Sequence, residues 1–205
     1  MKAAILGTRG IPNNYGGFEQ LAEYLSLSLS KKGHEVWVYN SSSHPYKEKQ
    51  WKGVNLYHAQ DPEKHIGTVG QFIYDLNCIL HLRSLKPDVI LQLGYTSSSV
   101  WHRFLPKKSK IVTNMDGLEW NRSKYSPAVQ RFLQYAEALA VKSSDVLVAD
   151  SVGIEAYLRQ KYGVEPELIA FGATPFLTPD FKTLSFSLCP TPKRCSSSIT
   201  RRPRS

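Results

Sequence analysis

Cysteine is scarce in this chain. The three present, Cys78, Cys189 and Cys195, show neither the pairing of a disulfide framework nor the spacing of a zinc site. That usage fits a reducing cytoplasm. No apolar run approaches the roughly 18 residues that a membrane-spanning helix needs. The first residues enter an apolar strand without a charged-then-apolar leader. The expectation is a cytoplasmic chain, at most peripheral at the inner face of the cell membrane. The six histidines are scattered without ligand spacing, so no metal site is expected. Acidic residues are missing from 181–205, which hold Lys182, Lys193, Arg194, Arg201, Arg202 and Arg204. Without those six the net charge of +9 falls to the balance of 20 basic and 17 acidic residues. The body is only mildly basic, and no nucleic-acid partner is expected. No aromatics interleave with the tail arginines as base stacking would require. A solvated end and an anionic-membrane contact are the two readings of this tail.

What the chain does have is 41% hydrophobic and 11% aromatic content over 205 residues, enough for a sizeable core. An apolar run at 3–6 stops at Gly7, passes through a loop with Arg9, Gly10, Pro12, Gly16 and Gly17, and becomes helix-periodic at Phe18. Strand, glycine-rich loop and helix in that order put backbone N–H groups and a helix dipole at the carboxyl edge of a sheet, where anions are held. A tight turn without a ligand is the plainer reading.

Further along, Phe18, Leu21, Ala22, Leu25 and Leu29 form one helical stripe, and Lys31-Lys32-Gly33 closes that helix. Strands are expected at 35–40, 53–59, 88–93, 110–113, 145–149 and 167–171, with 41–52 as a loop and 53–59 near an edge. A helix over 67–85 is expected to face Phe72, Ile73, Leu76, Ile79 and Leu80 inward, with Pro87 blocking its extension. A helix opening at Pro127 carries Val129, Phe132, Leu133, Ala136, Leu139 and Ala140. A last helix runs from Ser151 to Gly163. This alternation predicts an α/β fold, a single Rossmann-like doubly wound parallel sheet over residues 1–174. An irregular basic tail follows at 175–205, because five prolines and no amphipathic period occupy 173–205.

Three segments occur in order: Gly7-Thr8-Arg9-Gly10-Ile11-Pro12, Tyr15-Gly16-Gly17-Phe18-Glu19 and Asp116-Gly117-Leu118-Glu119-Trp120. With them the chain resembles the N-terminal domain of family 4 retaining glycosyltransferases of the GT-B fold, and more narrowly the bacterial rhamnosyltransferase-like subgroup that builds surface polysaccharide. The resemblance implies hexosyl or rhamnosyl transfer from a nucleotide sugar, the donor substrate, to a polysaccharide or lipid-linked acceptor, with no separate cofactor. It carries the family's donor-phosphate and sugar loop onto Gly16 and Gly17, flanked by Arg9 and Asn14. It puts Asp116 where many relatives have a His that contacts the transferred sugar. The family's second domain, which binds the donor nucleotide, has no counterpart in these 205 residues. The resemblance therefore implies a truncated or shifted frame near residue 182 and little turnover by this chain alone.

Each candidate carries a plainer alternative. Asp116 and Glu119 are sugar ligands or a solvated turn. Arg122 and Lys124, beside Trp120 and Tyr125, hold an acceptor or merely ring the loop. Tyr95 and Thr96, after the strand at 88–93, contact an acceptor or only pack and cap. Two other functions remain open: a non-catalytic acceptor- or partner-binding half that works with a separate C-terminal domain, and an NAD-dependent or nucleotide-sugar-modifying Rossmann enzyme. Against the dinucleotide reading, the loop is not G-x-G-x-x-G, and the strand at 35–40 ends in Asn40 rather than a ribose-binding acid.

Overall fold

Parallel pairing governs seven of eight strands in the computed structural model, which describes residues 1–115, 117–123 and 125–170, with the side chain of Glu119 also left aside. The elements in chain order are β1 (Lys2–Leu6), α1 (Gly17–Lys31), β2 (Glu35–Ser41), β3 (Gln50–Trp51), β4 (Val54–Ala59), α2 (Glu63–Ile66), α3 (Val69–Leu85) and β5 (Val89–Gln92). After a 3-10 turn at Ser99–Phe104 come β6 (Lys110–Met115), a second 3-10 turn at Glu119–Asn121, α4 (Pro127–Ser143), β7 (Val146–Ala149), α5 (Val152–Tyr162) and β8 (Glu167–Leu168). The sheet order is β3-β4-β2-β1-β5-β6-β7-β8, and only the β3–β4 pair is antiparallel. The doubly wound α/β fold read from the sequence is the observed one. Two details differ. The end of the expected 41–52 loop is β3, which covers the outer edge of β4, and a single helical turn, α2, precedes α3.

Alternation along the strands splits the core. Ile5, Val36, Val38, Val54 and Leu56 meet the stripe of α1, whereas Ala4, Leu6, Tyr39, Ile90 and Ile111 meet α3. The α1 stripe packs as expected, but α3 and α4 are rotated from the expected faces. The buried row of α3 is Tyr74, Asp75, Cys78, Ile79 and Leu82, while Ile73 and Leu80 are exposed. In α4, Leu133, Ala136, Glu137 and Ala140 are buried, and Val129 and Phe132 are exposed. Both helices bury a carboxylate that finds partners inside. Glu137, 1% exposed, accepts from Tyr157 Oη at 2.7 Å, Tyr162 Oη at 2.6 Å and Lys161 Nζ at 2.9 Å. Satisfied in this way, a buried charge competes with aliphatic side chains for the inner face. Among the described residues no helix is long and apolar enough to cross a membrane.

The β1–α1 loop is clamped rather than draped. The Asn40 amide accepts from the Ile11 N–H at 3.1 Å and donates to the Ile11 carbonyl at 2.8 Å, while Tyr74 Oη lies 2.9 Å from the carbonyls of both Thr8 and Tyr39. Glu19 Oε1 accepts from the Arg9 N–H at 2.7 Å. Gly7 and Gly10 serve this clamp. Gly7, at φ +87°, would bring a Cβ to 3.1 Å from the backbone nitrogens of Leu93 and Gly94. Gly10, at φ +122°, would bring one to 2.4 Å from Asn40 Cγ. Gly10→Ala is expected to destabilise the fold by about 2–4 kcal/mol, from strain plus loss of the Asn40 clamp. Gly17→Ala, whose Cβ meets nothing within 4 Å, is expected to leave stability unchanged or to raise it by under about 1 kcal/mol. Urea unfolding midpoints of the two variants check the contrast.

Candidate functional site

Strand order reverses at β1, so the loops after β1 and β5 leave the sheet toward opposite faces and open a crevice between them. A cleft of about 380 Å³ lies there. Its walls are Thr8 and Arg9 after β1, Gly16 to Glu19 at the start of α1, Tyr95, Thr96 and Ser97 after β5, and Gln71, Tyr74 and Asp75 of α3, with Asp61 before α2. A second cleft of about 320 Å³ shares Arg9, Tyr15 and Asp61 and adds Asn14, Ser41, Ser43, His44, Glu63 and Lys64.

Carboxylates dominate these walls. Asp75 is 4% exposed, and Ser97 Oγ donates a short hydrogen bond to its Oδ2. Burial pushes its pKa up to about 6. The Ser97 hydrogen bond opposes that rise, and the negative charge of Asp61 adds to it. Asp61 Oδ2 accepts from Ser41 Oγ at 2.6 Å. The Arg9 guanidinium lies between the clefts and is already committed: both of its terminal nitrogens donate to Glu63, one at 3.0 Å, and Asp61 is 3.7 Å away. The hydrogen bond to Glu63 is the main cause that raises its pKa above the ordinary value. Its charge is thus balanced by protein acids. Gly16 has extended backbone, φ −161°, that any residue adopts, and Gly17 faces open space. Neither glycine is required by the turn, so their missing side chains leave the α1 end of the cleft clear. The two readings of the glycine-rich loop therefore divide by residue, with Gly7 and Gly10 serving the turn and Gly16 and Gly17 the opening.

The structure brings Arg9, Gly16, Gly17, Tyr95 and Thr96 to the first cleft and Asn14 to the second. Tyr95 is itself buried, its hydroxyl 3.5 Å from Glu137 Oε2. Trp120 lines neither cleft. Its ring lies 6.2 Å from that of Tyr157, with Lys161 Nζ 5.3 Å from the indole centroid. Arg122 is exposed and lines neither cleft. Asp116, Lys124 and the Glu119 side chain lie outside the described residues. Near the end of β6, the Asn114 side-chain amide is 2% exposed and has no hydrogen-bond partner among the described residues.

Sequence reasoning missed Asp61, Asp75, Glu19 and Ser97. For Asp75 a signal existed: positions 75, 78, 79 and 82 keep helical spacing, so an acid falls in the same row as Cys78, Ile79 and Leu82. Reading the exposed apolar positions 73 and 80 as the inner face concealed it.

Residues 1–174 match the family model described as "Domain of unknown function (DUF1972)". No curated protein sequence matches the chain. Among solved structures it is similar to a sucrose-phosphate synthase from Thermosynechococcus elongatus, at 11% identity and TM-score 0.53, over 92% of this chain and 95% of that one. A glycosyltransferase from Rickettsia africae matches at 13% identity and TM-score 0.52, over 91% of this chain and 48% of that one. A Listeria monocytogenes protein assigned as a UDP-N-acetylglucosamine 2-epimerase matches at 15% identity and TM-score 0.52, over 89% of this chain and 50% of that one. The fold is thus the Rossmann-like one of GT-B proteins, and the chain spans about half the length of the last two.

The Asp75 carboxyl gives a stability signature. Its folded pKa of about 6 lies above its ordinary 3.8, so the fold binds that proton more tightly than the unfolded chain does. The stabilising contribution is complete below about pH 4 and is lost as pH rises through about 6. Asp75→Asn keeps an acceptor for Ser97 without the charge. It is expected to match the parent at pH 4 and to exceed it by roughly 2 kcal/mol at pH 8. Each tenfold change in proton affinity is worth about 1.4 kcal/mol, and relaxation around the charged carboxylate recovers part of the total. Denaturation at both pH values measures this difference.

Proposed function

The chain belongs to the family described as Domain of unknown function (DUF1972), and from that premise we propose that it is the acceptor-side half of a glycosyltransferase. In this reading it moves a hexosyl or rhamnosyl group from a nucleotide sugar onto a saccharide or lipid-linked saccharide. The observation that carries it is the acid-lined cleft at the β1/β5 reversal. Desolvated carboxylates with open space before them accept hydrogen bonds from sugar hydroxyls and repel the carboxylates of acidic sugars. Asp75 is the principal hydroxyl acceptor in this proposal. Its raised pKa makes it a competent proton acceptor near neutrality, held in one orientation by Ser97. Asp116, which follows β6 directly in sequence, is a second. Tyr95 and Thr96 shape the wall.

The donor diphosphate falls to the start of α1 at Gly16 and Gly17, where unbonded helix N–H groups meet developing negative charge. Arg9, neutralised by Glu63 and Asp61, fixes the wall between the clefts. Trp120, Arg122 and Lys124 belong to the outer acceptor loop. The opposite wall, which holds the donor nucleotide, is supplied by a second domain, joined or separate. A second reading draws on the similarity to the Listeria protein assigned as an epimerase: modification of a nucleotide sugar without an acceptor.

Transfer assays with a panel of nucleotide sugars and neutral saccharides separate these readings. Residues 1–205 alone are expected to release nucleoside diphosphate no faster than the uncatalysed background. The chain joined to a donor-binding second domain is expected to make an acceptor glycoside, and Asp75→Asn in that enzyme to lower kcat/KM by about 10–1000-fold while still folding. Brisk acceptor-dependent turnover by residues 1–205 alone contradicts the half-enzyme reading. Conversion of the nucleotide sugar with no acceptor present supports the second reading instead.

A further inference from the structure

Helices α3 and α4 and the 3-10 turn between β5 and β6 form one continuous layer on the sheet. The α4 helix packs along that turn, Trp101 Nε1 donates to the Phe72 carbonyl at 2.9 Å, and the rings of Phe72 and Phe132 lie 5.7 Å apart. The three segments of this layer, 69–87, 95–110 and 126–144, contain eight Lys and Arg residues, all exposed. Their only acids are Asp75 and Glu137, both buried. The exposed acids at its margin, Asp88 and Asp145, are bonded to the Lys2 N–H and to Lys110 at the strand starts. Between the cations stand side chains that the rotated helices leave outside: Val69, Ile73 and Leu80 of α3, and Val129, Phe132 and Tyr135 of α4. Elsewhere the charges are mixed: residues 145–167 carry five acids against two Lys or Arg.

We propose that this layer is a membrane-docking surface that seats on an anionic lipid bilayer. Apolar side chains interspersed with cations, of which Lys110 alone has an ion pair among the described residues, match the acyl boundary and the phosphate headgroups of such a surface together. Phe132 and Tyr135 can stack on bases, but the aliphatic majority of the exposed apolar groups, Val69, Ile73, Leu80 and Val129, gains from an acyl boundary and not from bases, so lipid is the better occupant. The inference does not depend on the transferase reading, because docking requires no sugar.

Co-sedimentation of the full chain with vesicles tests it. Binding is expected to phosphatidylcholine vesicles containing 30% phosphatidylglycerol, weakening as salt rises, with at least tenfold weaker binding to pure phosphatidylcholine. Two variants remove exposed groups only: Ile73→Ser with Val129→Ser and Tyr135→Ser, and Lys107→Glu with Lys108→Glu and Arg131→Glu. Each is expected to weaken binding at least tenfold without lowering the melting temperature by more than a few degrees. Replacing Arg201, Arg202 and Arg204 of the tail by Ala is expected to change binding less than threefold. Three results overturn the proposal: no preference for anionic vesicles, loss of binding with the tail variant alone, or a charge variant that weakens binding while the apolar variant leaves it intact. Duplex DNA bound as tightly as the anionic vesicles also overturns it.

Discussion

Asp75 is desolvated beneath Ser97 because α3 turns Tyr74, Cys78, Ile79 and Leu82 onto the sheet, and that rotation sets both ends of the molecule's chemistry. Inward, it delivers a carboxyl to the floor of the cleft and the Tyr74 hydroxyl to the carbonyls of Thr8 and Tyr39. Outward, it leaves Ile73 and Leu80 in solvent. Helix α4 repeats the pattern with Glu137, whose partners on α5 take up its acceptor capacity. For Lys161, burial lowers the ammonium pKa, but hydrogen bonds to Tyr157, Glu137 and Tyr162 outweigh it and hold the charge above the ordinary range. One exchange, a partnered acid for an aliphatic side chain on the inner face, thus accounts for Asp75 in the cleft wall and for the apolar outer layer.

The loop after β1 depends on the same helix. Tyr74 holds its first turn, Asn40 holds Ile11, and Glu19 holds the Arg9 N–H. Cross-links at three points make the loop a rigid wall, the condition for orienting a substrate without an ordering cost at each encounter. The position where a dinucleotide enzyme keeps a ribose-binding acid is here occupied by the Asn40 clamp, which explains in physical terms why no acid stands there.

The fold was legible because its determinants are local: strand runs such as 88–93, the Pro127 helix start, and the closing glycines Gly33 and Gly163, both at positive φ. The edge strand β3 was not, since two residues, Gln50 and Trp51, carry no periodicity and exist only through pairing with β4. Of the site, the residues on loops adjacent to strand ends were legible, namely Arg9, Gly16, Gly17, Tyr95 and Thr96. The carboxylates were not, because Asp61 and Asp75 reach the cleft through tertiary placement. The balancing of Arg9 by Glu63 spans 54 positions of sequence, which no local pattern displays.

The central claim is that this cleft receives uncharged or amino-bearing sugars against an acid wall. Ligand-observed NMR titration of residues 1–205 with methyl glycosides, amino sugars and uronic acids tests it most directly. Saturable binding of the neutral and amino sugars is predicted, weakened at least tenfold in Asp75→Asn, with little binding of the uronic acids. Tighter binding of uronic acids than of neutral glycosides, unaffected by Asp75→Asn, would contradict it.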